Sequence, residues 1–196
     1  MKVVIIEGAR GTGKSTVARK IREQISEITL VNPTGFHLDG KEGLAKISKY
    51  YDKWLDLLWS MKDEDVTLVF DRFFFSEMVF SKLYKSYDFS KQYDELLFDL
   101  RTLPCDIDII FFTIDDEEEL KNRLVRDKVP FGKAEETVSE TSKQQVVYKD
   151  IMSDIFDEYS SDTFRLSYVD TNQKTPEQVQ EEVFKIIKGE ENTKWK

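Results

Sequence analysis

Short apolar runs alternate along this chain with longer segments whose apolar residues recur at helical spacing. Val3-Val4-Ile5-Ile6 opens the series and reads as a buried strand over about residues 2–7. Helical spacing takes over at about 14–28, where Val17, Ala18, Ile21 and Ile25 share one face. Thr29-Leu30-Val31 is a second short strand, and it runs into the turn Asn32-Pro33-Thr34-Gly35. A helix over about 43–61 carries Ile47, Tyr50, Trp54, Leu58 and Met61 on one side. Val66 to Phe70 is the third strand; helices at about 75–86 and 91–102 follow, and Pro104 closes the second. Ile107 to Ile114 is the fourth strand. Beyond it the pattern predicts a helix at about 116–127, a polar loop to about 137, and a helix to about 159. Phe164 to Val169 is the fifth strand, and the last helix runs from Thr175-Pro176 to near Lys188-Gly189.

Strands and helices that alternate in this way predict an α/β fold with a five-stranded parallel sheet flanked by helices. The expected organisation is one domain over 1–189 with a frayed tail at 190–196. Open parallel sheets bind ligands beyond the carboxyl ends of their strands. On this chain those ends carry residues 8–15, Asn32 to Gly35, Asp71-Arg72, Asp115 and Asp170.

Residues 8–15 read Gly-Ala-Arg-Gly-Thr-Gly-Lys-Ser, the complete spacing G-x-x-x-x-G-K-[ST] of a phosphate-binding loop. It lies between a predicted strand and a predicted helix, the context this motif requires. Glycines let successive backbone N–H groups turn toward one phosphate, and the following helix adds a partial positive charge. Gly8, Ala9, Arg10, Gly11, Thr12, Gly13, Lys14, Ser15 and Thr16 are therefore the candidate residues for binding a nucleoside triphosphate, ATP, with Mg²⁺. Lys14 would reach the β- and γ-phosphates, and the Ser15 hydroxyl would ligate the ion.

Composition narrows the field. The 196 residues include 34% charged and 40% hydrophobic positions and carry a net charge of −9, which disfavours nucleic acid as the main partner. One cysteine, Cys105, excludes an internal disulfide framework and a cysteine metal cluster, and one histidine, His37, cannot make a metal site. No apolar run reaches the length of a membrane span, and because strand residues begin at Lys2 no secretory leader is expected. A reducing, cytoplasmic setting and a small-molecule partner are the expectation.

Strand three ends in Asp71-Arg72-Phe73-Phe74-Phe75-Ser76. This segment resembles the D-R-Y-x-F-S motif of thymidylate kinases, which also start with a strand and the loop E-G-x-x-x-x-G-K-[ST], here Glu7 to Ser15. Downstream, Leu120-Lys121-Asn122-Arg123-Leu124-Val125-Arg126-Asp127 is similar to the helix that leads into their lid. The resemblance implies a P-loop kinase fold with a lid over about 127–140, and a nucleotide kinase that uses ATP and Mg²⁺. It implies that Asp71 holds Mg²⁺ through water and Arg72 binds the acceptor phosphate. Phe75 would stack on the base, while Arg123 and Arg126 would close over the ATP phosphates. Tyr148 and Phe36 are further acceptor-side candidates.

The chain departs from that family on the acceptor side. Arg10 stands where thymidylate kinases carry an acidic residue, and Val31-Asn32-Pro33-Thr34-Gly35 replaces their Arg-Glu-Pro-Gly-Gly. Arg10 is thereby a candidate clamp for the acceptor phosphate. Deoxynucleoside kinases share the architecture but place a glutamate after strand two as general base for a hydroxyl. Val31 to Phe36 holds no carboxylate, Asp39 being the nearest, and an ionised monophosphate needs no base. Phosphoryl transfer to a (deoxy)nucleoside monophosphate is the leading reading. A nucleoside kinase and a nucleotide-dependent switch are the alternatives.

Plainer roles are also open. Two of Phe73, Phe74 and Phe75 are expected in the core; Arg123 and Arg126 could pair with Glu119 and Glu118 on a helix surface. Met78, Val79 and Leu83 could serve either the core or a homodimer.

Overall fold

The computed structural model describes residues 1–25, 27–33, 35–126 and 134–190, with side chains for all of these except 126 and 134–136. Five strands, β1 (Lys2–Gly8), β2 (Ile28–Val31), β3 (Thr67–Asp71), β4 (Asp106–Thr113) and β5 (Phe164–Asp170), form one sheet. Their order is β2-β3-β1-β4-β5 and every pairing is parallel. The helices are α1 (Lys14–Gln24), α2 (Gly40–Ser60), α3 (Phe74–Tyr84), α4 (Ser90–Thr102), α5 (Glu117–Arg126), α6 (Ala134–Tyr159) and α7 (Pro176–Lys188).

A parallel sheet covered on both faces needs strands that are apolar on both sides. Side chains alternate along each strand, so β1 feeds two cores. Val3 and Ile5 join Leu68, Phe70, Ile109 and Phe111 under α2, α3, α4 and α6. Val4 and Ile6 join Val69, Ile110, Phe112 and Val169 under α1 and α7. The same alternation sends Glu7 to the side of Val3 and Ile5, facing α3 and α6.

Boundaries differ from the sequence reading where caps intervene. Helix α2 starts at Gly40 because the Asp39 carboxylate accepts the Gly40 N–H at 2.7 Å. Helix α1 stops at Gln24, since Ile25 is already extended. Helix α7 behaves as expected, with a Thr175–Gln178 capping box, Pro176 in its first turn and Gly189 at φ 73 after its end. Helix α6 begins at Ala134, inside the stretch expected to be loop. Half of the lid expected over 127–140, residues 127–133, lies outside the described residues, as does the tail from 191 onward.

The phenylalanine triplet corrects one expectation. Phe73, Phe74 and Phe75 are all fully buried, not two of the three. Tyr51 of α2 meets Phe73 and Phe74 edge-on, and Tyr93 of α4 does the same to Phe74 and Phe75. Phe75 lies stacked on Phe74 with ring centroids 4.4 Å apart, so its ring belongs to the core and does not stack on a base. Met78 and Val79 are likewise buried in this core, which takes them from any dimer face. Trp54 packs on Phe70 while Trp59 is exposed, as their spacing on α2 requires. Replacing Phe75 by Ala removes a fully packed ring and should destabilise the protein by about 3–5 kcal/mol. Urea unfolding of the variant checks this, and a loss below 1 kcal/mol (roughly the methylene scale) would contradict its core placement.

Candidate functional site

The carboxyl ends of β1, β3 and β4 lie side by side, paired Ile6↔Asp71 and Gly8↔Phe112. The phosphate-loop sequence leaves β1 at Gly8, whose φ is 141 and whose missing Cβ would collide with the Phe112 carbonyl oxygen. Only glycine fits so close an approach. Gly13 at φ 91 then turns the chain into α1, whose first amides have no acceptor within the helix. Those free donors and the helix dipole make this loop suited to a phosphate.

Lys14 opens α1 and is buried. Its Nζ donates to the Ala9 carbonyl at 2.5 Å and to Thr12 Oγ1 at 3.3 Å, and Thr12 Oγ1 in turn donates to Ala9 O at 2.9 Å. Burial, reinforced by the nearby Arg72 guanidinium, lowers the lysine from its ordinary 10.5 to about 7; Asp71 and Glu7 act in the opposite sense. Ser15 and Thr16 stand exposed on the same turn.

At the end of β3, Asp71 is buried. Its Oδ2 accepts from Asn32 Nδ2 at 3.3 Å, while Oδ1 is buried with no hydrogen-bond partner among the described residues. A carboxylate oxygen left in that state fits a water-bridged cation. Arg72 follows with φ 77, a left-handed backbone that a non-glycine residue rarely adopts. Its guanidinium is half-buried and donates no hydrogen bond to a described residue.

Glu7 and Tyr148 form the floor between these elements. The Glu7 carboxylate accepts from Phe73 N–H, Ser76 Oγ and Tyr148 OH, and burial pushes its pKa up from the ordinary carboxyl value. Tyr148, an acceptor-side candidate from the sequence, does not face a nucleobase. It is buried, with its hydroxyl on Glu7 and Ser76 and its ring against Phe111.

A cleft of about 560 Å³ opens on the other side of the loop, between α1, α5 and the segment joining β5 to α7. Gly11, Thr16, Asn122, Arg123, Thr171 and Lys174 are among the residues lining it. Arg123 is held there by Glu119, by Thr171 O at 2.7 Å and by Thr171 Oγ1 at 3.0 Å. The helix-surface pair Arg123–Glu119 and the cleft-lining position are thus both present. Arg126 ends α5, and its side chain lies outside the described residues.

Toward β2 the arrangement is more open. Phe36 is half-buried, edge-on to Tyr50 at 5.1 Å, with Lys46 Nζ 4.2 Å above its ring. Lys85 donates to the carbonyls of Phe36, His37 and Leu38 and so fixes this loop. Asp39 Oδ1 accepts from Gly40 N, Ser86 N and Ser86 Oγ, which lowers its pKa and ties it to the loop before α4. It is a structural tie, not a free base. Arg10 is half-buried at the loop's outer turn.

Sequence reasoning brings Lys14, Ser15, Asp71, Arg72 and Arg123 to one edge of the sheet, and the structure places them there. It assigns no role to Glu7 or Lys46. For Glu7 a signal exists: one acidic residue ending an otherwise apolar strand.

The Lys14 environment has a measurable consequence. A lysine at about 7 is largely deprotonated at about pH 8, and an adjacent phosphate favours the ammonium form. Triphosphate binding should therefore take up about one proton near pH 8 and little near pH 6, where the lysine is already charged. Calorimetry in buffers of different ionisation enthalpy reads this uptake; Lys14→Met should abolish it, and uptake that persists in the variant would assign the proton elsewhere.

No family model matches the chain. It is 27% identical to the SPbeta prophage-derived protein YorR of Bacillus subtilis over 165 residues, 83% of this chain and 90% of YorR. The crystal structure of YorR, in complex with phosphorylated GDP, superposes with a TM-score of 0.66 over 96% of both chains at 18% identity. Thymidylate kinase from Candida albicans superposes with a TM-score of 0.67 at 19% identity, over 97% of this chain and 92% of that one. Deoxyadenosine kinase from M. mycoides gives 0.55 at 15% identity, over 97% and 100%. The chain has the fold of these P-loop nucleotide kinases, a five-stranded parallel sheet flanked by helices.

Proposed function

We propose that this protein is a nucleotide kinase that transfers the γ-phosphoryl group of ATP to the phosphate of a (deoxy)nucleoside monophosphate. The observation that carries the reading is the gathering of Lys14, Asp71 and Arg72 beside one phosphate loop, with Arg123 in the adjoining cleft. Phosphoryl transfer needs positioning and neutralised charge more than covalent chemistry. In this reading the loop amides and Lys14 bind the donor phosphates, Arg123 steadies the donor from the cleft, and Arg72 holds the acceptor phosphate. Ser15 and, through water, Asp71 would hold Mg²⁺, which would supply positive charge to offset that of the phosphates. The orphaned Asp71 Oδ1 fits that assignment.

A monophosphate acceptor is favoured over a nucleoside on chemical grounds. A hydroxyl must lose a proton to attack, whereas a phosphate oxygen is already ionised. Asp39, the carboxylate nearest the β2 turn in sequence, is engaged by three donors from Gly40 and Ser86. YorR binds a guanine nucleotide, so guanosine and deoxyguanosine monophosphates belong beside thymidine monophosphate among the acceptors to try.

A coupled assay for ADP release across nucleosides and their monophosphates tests the proposal. At least one monophosphate should accelerate release strongly; stimulation by nucleosides alone would establish the nucleoside kinase instead. Slow ATP hydrolysis that no acceptor stimulates would point to a switch. Lys14→Ala should lower turnover by about 10²–10⁴. Arg10→Ala should raise the acceptor KM far more than the ATP KM, and equal changes would remove Arg10 from the acceptor side.

A further inference from the structure

Glu7 ends an apolar strand, is fully buried, and has no task in the reaction proposed above. Burying a carboxyl group is unfavourable unless its oxygens find donors. Both oxygens have them. Phe73 N–H donates to Oε1 at 2.6 Å, Ser76 Oγ to Oε2 at 2.7 Å, and Tyr148 OH to Oε2 at 3.1 Å. Phe73 and Ser76 both belong to the segment that directly follows Arg72.

The backbone shows what this arrangement accomplishes. Arg72 sits at φ 77, a left-handed backbone that is unfavourable for a non-glycine residue. Its own N–H donates to Ile6 O at 3.0 Å, and the next N–H, that of Phe73, goes to Glu7. Consecutive amides after β3 are thus gripped by consecutive residues of β1. Helix α3 starts on Phe73, a residue whose side chain caps nothing. Glu7 joins the amide of that N-cap residue to the hydroxyl of Ser76 in the third helical position. Those are the two positions a capping box links within a single helix. Tyr148 closes the group from α6 and is also 2.8 Å from Ser76 Oγ.

We propose that Glu7 is a positioning residue. Its two oxygens lock the left-handed turn at Arg72 and keep the guanidinium beside Lys14 before substrate arrives. The part played by Arg72 in turnover rests on the phosphoryl-transfer reading; the lock itself does not. The placement of two oxygens or their equivalents governs the lock, not the negative charge. Glu7→Gln preserves that placement, because its amide oxygen can accept the Phe73 N–H and its NH₂ can donate to the Ser76 hydroxyl. Glu7→Asp preserves the charge and falls one methylene short of both donors.

The test compares the two variants in the full chain, alone and combined with Arg72→Ala. Glu7→Asp should lower kcat about 30-fold or more, as misplacement of a reacting group does, and leave the Kd for a nonhydrolysable ATP analogue within about threefold. Amide hydrogen exchange over residues 72–76 should quicken. Glu7→Gln should stay within about fivefold of the parent in kcat and keep slow exchange. In the Arg72→Ala background, Glu7→Asp should cost no more than about twofold. An intact Glu7→Asp with a crippled Glu7→Gln would show that charge governs and would overturn the lock. So would an Arg72-independent loss in Glu7→Asp. Should the parent protein phosphorylate no acceptor, the reaction assigned to it falls, while exchange still decides this proposal: unchanged exchange over 72–76 in Glu7→Asp overturns it.

Discussion

Everything at the candidate site depends on the parallel pairing of β1 with β3 in the register Ile6↔Asp71. That register brings two chain segments more than sixty residues apart to end at the same level. One then turns into the phosphate loop and the other into Arg72 and α3. Side-chain alternation assigns the two carboxylates at these strand ends to opposite faces. Glu7 falls on the α3–α6 side of the sheet and Asp71 on the other, near Lys14. A slip of β3 by one residue against β1 would turn Asp71 to the face that holds Glu7 and the aromatic rings. The apolar positions of both strands resist such a slip, because Val3 and Ile5 and their neighbours Val4 and Ile6 each have a matched core.

The edge stores unfavourable features that the surrounding core holds in place. A lysine is buried against a carbonyl, an aspartate oxygen has no donor among the described residues, and an arginine occupies a left-handed backbone. Such concentrations of strain and incomplete pairing gather where a ligand completes the site. The rigid part is the aromatic layer beneath. Phe73, Phe74 and Phe75 are fully buried and packed by Tyr51 and Tyr93, so the start of α3 cannot shift without disturbing that core.

Apolar runs and helical spacing make the strands, most helices and the phosphate loop legible in the sequence, because each is a local pattern. Long-range ties are harder to read: Asp39 reaches Ser86 across 47 positions, which no window of sequence contains. Phe75 and Tyr148 illustrate a different limit. Resemblance to a family transfers a position in the motif, but burial is decided by the residues that pack on it. Tyr93 and Phe74 enclose Phe75, and Phe111, Ser76 and Glu7 enclose Tyr148. Glu7 is visible as an acid at the end of an apolar strand. Its donors come from 66, 69 and 141 positions away, so their identity requires the fold.

The electrostatics of the edge suit exchange of partners better than attraction from a distance. With a net charge of −9 the chain repels anions overall, so a phosphate must be held by local donors. Those donors are already occupied. Lys14 rests on the Ala9 carbonyl, and Arg123 rests on Glu119 and on Thr171. A multiply charged phosphate is a stronger acceptor than a carbonyl, since hydrogen bonds to ionised groups are about twice as strong as neutral ones. At Lys14, binding can then proceed by replacing a weak acceptor with a strong one, at a side chain already held in place. Arg72 differs from the other two, since no described residue accepts from its guanidinium and only its backbone is fastened. Its readiness therefore depends on the turn that carries it, and the residues that fasten that turn become part of the site although none of them need touch a ligand.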